Sequence, residues 1–179
     1  METRRCILKH HELDEELQLI HDELYRNFTR QVLAVAPDYF WKAPASHRNH
    51  HSEDERAVGG LILHVKRAVG VGVFLCNIFA VGSIEYNIII SALLIHDICK
   101  FGLHEDSGHS IKGHGEMVGQ VLVDNKLFDP DLPDRNIVEI LNAVATHMGR
   151  WDVPYVVPAD KIGLIVHLAD AISARSSEL

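Results

Sequence analysis

Tyr86-Asn-Ile-Ile-Ile-Ser-Ala-Leu-Leu-Ile-His96-Asp97-Ile98-Cys99-Lys100 is the stretch that decides the fold. Its Ile88-Ile89-Ile90 run has the β-branched character of a strand. Ala92, Leu93, Leu94 and the length of the apolar segment instead predict a buried helix from about Tyr86 to Cys99. That helix closes on His96 and Asp97. An ionised Asp in such a setting must be paired or hold a metal, because desolvating a lone charge costs at least several kcal/mol.

Outward from this segment, nearly everything reads as helix. Leu13, Leu17, Ile20, Leu24, Phe28 and Val32 recur at spacings of three and four, which predicts one amphipathic N-terminal helix over about 12–36, ended by Pro37. Ala43 to Arg56 is a polar loop holding His47, His50 and His51, and these three are read as exposed. Further helices are predicted from Gly60 to about Phe79 and from His114 to Asn125. Two more run from Asp134, taken as a cap, to about Met148, and from Ala159 to Arg175. Gly70 and Gly72 permit close helix contact in the first of these. No internal repeat and no linker interrupts the pattern. The expectation is all-α: a compact single-domain multi-helix bundle over 1–179, with its core at about 47–175.

Composition narrows the function classes. The 179 residues are 47% apolar and 23% charged, an ordinary globular balance that excludes a disordered, collagenous or disulfide-stapled chain. Three cysteines without a Cys-x-x-Cys pair exclude a thiolate zinc site and suggest a reducing, cytoplasmic compartment. No uninterrupted apolar run reaches the roughly 18 residues of a membrane span, and Met1 to Lys9 is polar, so no membrane is expected. The formal net charge of −8 argues against a broad basic nucleic-acid face.

Thirteen histidines stand against seventeen Lys plus Arg, and several lie where His is costly without a partner. His64 sits in Leu61-Ile-Leu-His64-Val65, His114 opens a helix after Gly113, and His147 closes one after Thr146. Asp170 sits within Leu168-Ala-Asp170-Ala-Ile172. Taken singly, His64 is a hydrogen-bonded core residue, and His96-Asp97 a helix-end pair. Taken together, four His and two Asp on core segments converge on a cation at the centre of the bundle. Imidazole with carboxylate and no thiolate suits Mn, Fe, Co, Ni or Zn rather than calcium.

The order His64, His96-Asp97, Asp170 resembles the HD superfamily of metal-dependent phosphohydrolases. The flanking text agrees in Gly59-Gly60-Leu61-Ile62-Leu63-His64, in Leu93-Leu94-Ile95-His96-Asp97-Ile98-Cys99-Lys100 and in Leu168-Ala169-Asp170-Ala171. Cys99 stands where the family signature has glycine. Gly113-His114 and Thr146-His147-Met148-Gly149 resemble the added histidines of binuclear members, closest to the 3′–5′ exoribonuclease-like branch, as do the preceding His47, His50 and His51 and the glycine-proline loop from Gly149 to Pro158.

The resemblance implies two divalent transition-metal ions. His64, His96, Asp97 and Asp170 would hold one; Asp97 would bridge to a second at His114 and His147. Paired ions acidify a bridging water and clamp phosphoryl oxygens, so no nucleophilic side chain is needed. Asp97 and Lys100 would be catalytic, Lys100 by neutralising charge on the phosphoryl group. Lys112, Arg150 and Trp151 are candidate substrate contacts, Trp151 by stacking on a base. The implied substrate is a phosphate ester of a nucleotide or a short single-stranded oligonucleotide. The alternatives are a mononuclear nucleotidase, a catalytically silent HD-fold ligand-binding module, and a bundle with structural zinc.

Overall fold

The computed structural model describes residues 10–46, 51–104, 107–128, 131–151 and 158–175. Among these the regular elements are all helical: α1 (Asp14–Leu17), α2 (Glu23–Ala34), α3 (Gly60–Ile78), α4 (Ser83–Ile95), α5 (His114–Asn125), α6 (Asp134–Thr146) and α7 (Lys161–Ser173). Short 3-10 turns lie at Asp38–Trp41, Asp54–Arg56 and Gly149–Trp151. The all-α expectation holds.

The centre is α4. Every residue from Asn87 to Ile95 is buried, which is why the segment shows no polar face. It packs against α2, α3, α6 and α7, while α3 also packs on α7 and α5 on α6. Gly82 N–H donates to the Glu85 carboxylate at 3.0 Å, so α4 starts three residues before the predicted Tyr86. One connected cluster of apolar side chains runs from Leu13 to Ala169.

Three expectations need correction. The predicted N-terminal helix is two helices. His21 and Asp22 donate their N–H groups to Asn87 Oδ1 at 2.9 and 3.3 Å, and Asp22 then caps α2 by accepting from Leu24 N at 2.9 Å. Leu17 and Ile20 are both fully buried, so the apolar spacing persists across the break and hides it. Asp134 is the first residue of α6 rather than its cap: Pro133 precedes it, with its carbonyl accepting from Asn136 N at 2.8 Å. Of Gly70 and Gly72, only Gly72 serves close helix contact. A Cβ there would lie 2.2 Å from Leu93 Cδ1, whereas at Gly70 it would meet nothing. By length and composition α3 alone among the described helices could cross a membrane, although His64, Lys66 and Arg67 interrupt its apolar run. Its buried residues include His64, Val65, Ala68, Val69 and Gly72, packed within the bundle.

Two glycines fix spacings that matter below. A Cβ at Gly60 would lie 1.9 Å from the Glu55 carbonyl oxygen, and one at Gly115 would lie 2.4 Å from the Val144 carbonyl oxygen. Both obstacles are backbone and cannot rotate away. Gly115→Ala is therefore expected to push α5 off α6 at a cost of about 1–3 kcal/mol. Thermal denaturation should show a drop of roughly 2–10 °C in the melting temperature; an unchanged melting temperature would refute the close approach.

Candidate metal centre

Helix ends deliver most of the polar centre. His96 is the C-cap of α4 with Asp97 next to it, His147 is the C-cap of α6, and His114 is the first residue of α5. His64 comes from within α3 and Asp170 from within α7. The four imidazoles and Asp97 are all at most 1% exposed. The structure thus brings together all six residues singled out from sequence.

The Asp97 carboxylate divides the histidines into two groups. Its Oδ2 lies 3.6 Å from His64 Nε2 and 3.4 Å from His96 Nε2. Asp170 Oδ1 completes that group at 3.0 and 3.8 Å from the same two nitrogens. Asp97 Oδ1 faces the other way, 3.0 Å from His114 Nε2 and 3.6 Å from His147 Nε2. His114 Nε2 and His147 Nε2 are 3.1 Å apart. His64, His96 and Asp97 form one set of donors close enough for a single ion, and Asp97, His114 and His147 a second.

Tautomers follow from what the other ring nitrogens touch. His96 Nδ1 meets the Leu93 carbonyl at 2.7 Å, His114 Nδ1 that of Ile111 at 2.8 Å and His147 Nδ1 that of Val144 at 2.6 Å. A carbonyl only accepts, so each Nδ1 carries a hydrogen, and in its neutral form each ring turns an Nε2 lone pair inward. Lone pairs and carboxylate oxygens then face one another. Among the described residues His64 Nε2 and His96 Nε2 are buried without a hydrogen-bond partner, Asp170 Oδ1 notwithstanding at 3.0 Å from the first. Buried polar atoms without partners are costly, and convergent lone pairs are what a cation satisfies. The donor set fits a divalent transition metal. Burial pushes the Cys76 thiol up to about 11 and Cys99 up to about 12, so neither supplies a thiolate.

Electrostatics reinforce the pattern. Burial would raise Asp97, but Lys100 and the surrounding histidines hold it well below the usual carboxylate range. Asp170 is held low against its burial by His64, His96 and His147. Burial would lower His64, but the adjacent Asp170 and Glu55 carboxylates raise it to about 9. Lys100 is itself 7% exposed and donates to Asp97 Oδ2 at 2.6 Å, so the buried carboxylate is paired.

A pH effect follows. A His raised from 6.5 to about 9 favours the metal-free fold below 6.5, and that contribution is lost as pH rises through 9. A metal taken up through His64 must displace its proton. Apparent affinity is expected to rise ~tenfold per pH unit up to that value, with release of about one proton. Isothermal titration at neutral pH in buffers of different ionisation enthalpy measures the proton, and zero release would refute the assignment of His64.

The remaining candidates are peripheral. Lys112 is exposed, two residues before His114. Arg150 and Trp151 are exposed and paired with each other, the guanidinium carbon 4.9 Å from the ring centroid. His104 and His109 are exposed. His167 Nδ1 donates to the His147 carbonyl at 2.6 Å and packs on Gly149, whose φ of +54° and 2.9 Å clearance leave no room for a Cβ. His47 and His50, and 152–157 of the glycine-proline loop, lie outside the described residues.

His51 corrects the exposed-loop expectation. Its side chain is 9% exposed, its Nδ1 lies 2.7 Å from Glu55 Oε2, and its ring centroid is 4.7 Å from that of His64. Glu55 is fully buried, and sequence reasoning missed it entirely. The only trace in the chain is Gly60, the residue whose missing side chain lets the Glu55 backbone lie against α3.

A family model for the HD domain matches residues 61–175. No curated protein and no solved structure matches the chain.

Proposed function

Because this chain belongs to the HD-domain family, we propose that it is a binuclear metal-dependent phosphohydrolase acting on a phosphate ester of a nucleotide or short oligonucleotide in the cytoplasm. The observation that supports this best is the division of His Nε2 atoms between the two oxygens of Asp97. His64, His96, Asp97 and Asp170 would hold one ion, and Asp97, His114 and His147 the other. Ions held there would supply an acidified water and charge to meet phosphoryl oxygens.

The chain's own residues then have separate tasks. Lys100 sits on the Asp97 oxygen that faces His64 and His96, and its ammonium adds a cation beside the phosphoryl position. The Arg150–Trp151 pair offers a positive charge and an aromatic face to a nucleotide, as an activity like that of the exoribonuclease-like branch would need.

The test is a phosphoesterase panel with added Mn²⁺. It compares chromogenic mono- and diesters, nucleoside mono- and triphosphates, cyclic dinucleotides and short RNA, with Asp97→Ala as the control. Turnover of at least one nucleotide class, absent in the control, is expected. Nucleotide binding with no turnover across the panel would instead favour a silent ligand-binding module.

A further inference from the structure

His64 differs from the other three histidines in one respect that the fold forces. His96, His114 and His147 stand at helix termini, where the carbonyl three residues back accepts from Nδ1. His64 lies inside α3, where carbonyls of the preceding turn are taken by the helix's own N–H groups. Its Nδ1 must find side chains instead. Ser173 Oγ lies at 3.3 Å, with its own hydrogen donated to the Asp170 carbonyl at 2.8 Å, and Glu55 Oε2 lies at 3.7 Å.

The Ser173 hydroxyl oxygen meets that need, and Glu55, too far for a hydrogen bond, adds a negative charge behind the ring. Glu55 is 0% exposed, and a buried carboxylate persists only with charge-bearing donors around it. Arg67 NH1 donates to its Oε1 at 2.8 Å, and His51 Nδ1 meets Oε2 at 2.7 Å. Arg67 is itself clasped by Ser52 Oγ at 2.8 Å and by Asp54. The Ala45 N–H holds the Glu55 carbonyl at 2.7 Å, and Gly60 lets that carbonyl reach α3. A whole segment is folded inward to place one anion against two imidazoles, His51 at 2.7 Å and His64 at 3.7 Å.

Resting on the metal-centre reading above, we infer that Glu55 is a positioning residue for the ion at His64, its carboxylate orienting that ring and strengthening Nε2 as a donor. A carboxylate behind a ligating imidazole fixes its tautomer and raises its basicity, and losing such a partner weakens metal binding roughly 10- to 100-fold. The effect is local: it applies to the group containing His64 and not to His114 with His147.

The experiment titrates Co²⁺ alone into the full chain and follows its visible absorption. In a His114→Ala background, Glu55→Gln is expected to weaken Co²⁺ binding roughly 10- to 100-fold and to shift the absorption bands. In a His64→Ala background, the same substitution is expected to leave Co²⁺ affinity unchanged. Equal affinity with and without Glu55→Gln in the first background would overturn the inference, as would equal losses in both, which mark a purely structural clasp. Should Glu55→Gln not fold, Glu55→Met with Arg67→Met removes charge and countercharge together and is read the same way. If the unsubstituted protein takes up no Co²⁺, the metal-centre reading falls and this inference with it; uptake indifferent to Glu55 overturns the inference alone.

Discussion

Asp97→Asn is expected to reduce phosphoesterase turnover by at least ~10³-fold, because several kcal/mol of electrostatic stabilisation would leave with the ions that Asp97 is proposed to join. The substitution preserves shape, so the loss reports charge. Metal analysis of the purified variant should show both equivalents depleted, since each oxygen of Asp97 serves a different histidine group. A second consequence is independent of metal. Lys100 is buried against Asp97 and would be left without its counterion, a situation that costs about 3–5 kcal/mol when a buried pair is broken. The metal-free variant should therefore melt lower than the metal-free parent. Adding Lys100→Met should recover much of the melting temperature and none of the activity. Retained turnover in Asp97→Asn would remove the basis for the proposed mechanism.

His114→Ala separates the two-ion reading from the mononuclear one. With Asp97 Oδ1 and His147 as its remaining partners, the second group falls below the three donors that close it. One equivalent of metal per chain should be lost, the other retained, and kcat should fall by about 10²–10³-fold, the scale of losing a preorganised electrostatic group. His64→Ala should deplete the other equivalent. If His114→Ala keeps full activity with one ion bound, the chain is a mononuclear nucleotidase. The substitution leaves a small buried cavity beside His147, so the folded state should be checked by its melting temperature before the metal count is read.

What sequence made legible was the set of polar residues on core segments. His96 and Asp97 stand out because everything before them is apolar, and desolvation makes such residues conspicuous. Helix identity was equally readable for α3, α4 and α5, where apolar runs or glycine starts mark the boundaries. The break between α1 and α2 was not, since it depends on Asn87, 65 and 66 positions away in the chain, accepting two N–H groups. Glu55 was hidden for a related reason. It sits among Ser52, Glu53, Asp54 and Arg56 and carries no local mark of burial. Only the tertiary pairing with Arg67, 12 residues on, turns a surface-looking acid into an interior one. The exposed Arg150–Trp151 pair belongs to neither case, for its residues were readable but their mutual stacking was not.

Three of the imidazoles are fastened by the carbonyl of their own preceding turn before any ion arrives. Those three rings are thus set by folding itself, unlike the ligands of a small zinc module that collapses only around its cargo. Protein stripped with a chelator should keep its helical content and accept a replacement ion without a refolding step. Which ion it carries in a cell would then be set by supply as much as by shape, and activity would track whichever cation the growth medium provides.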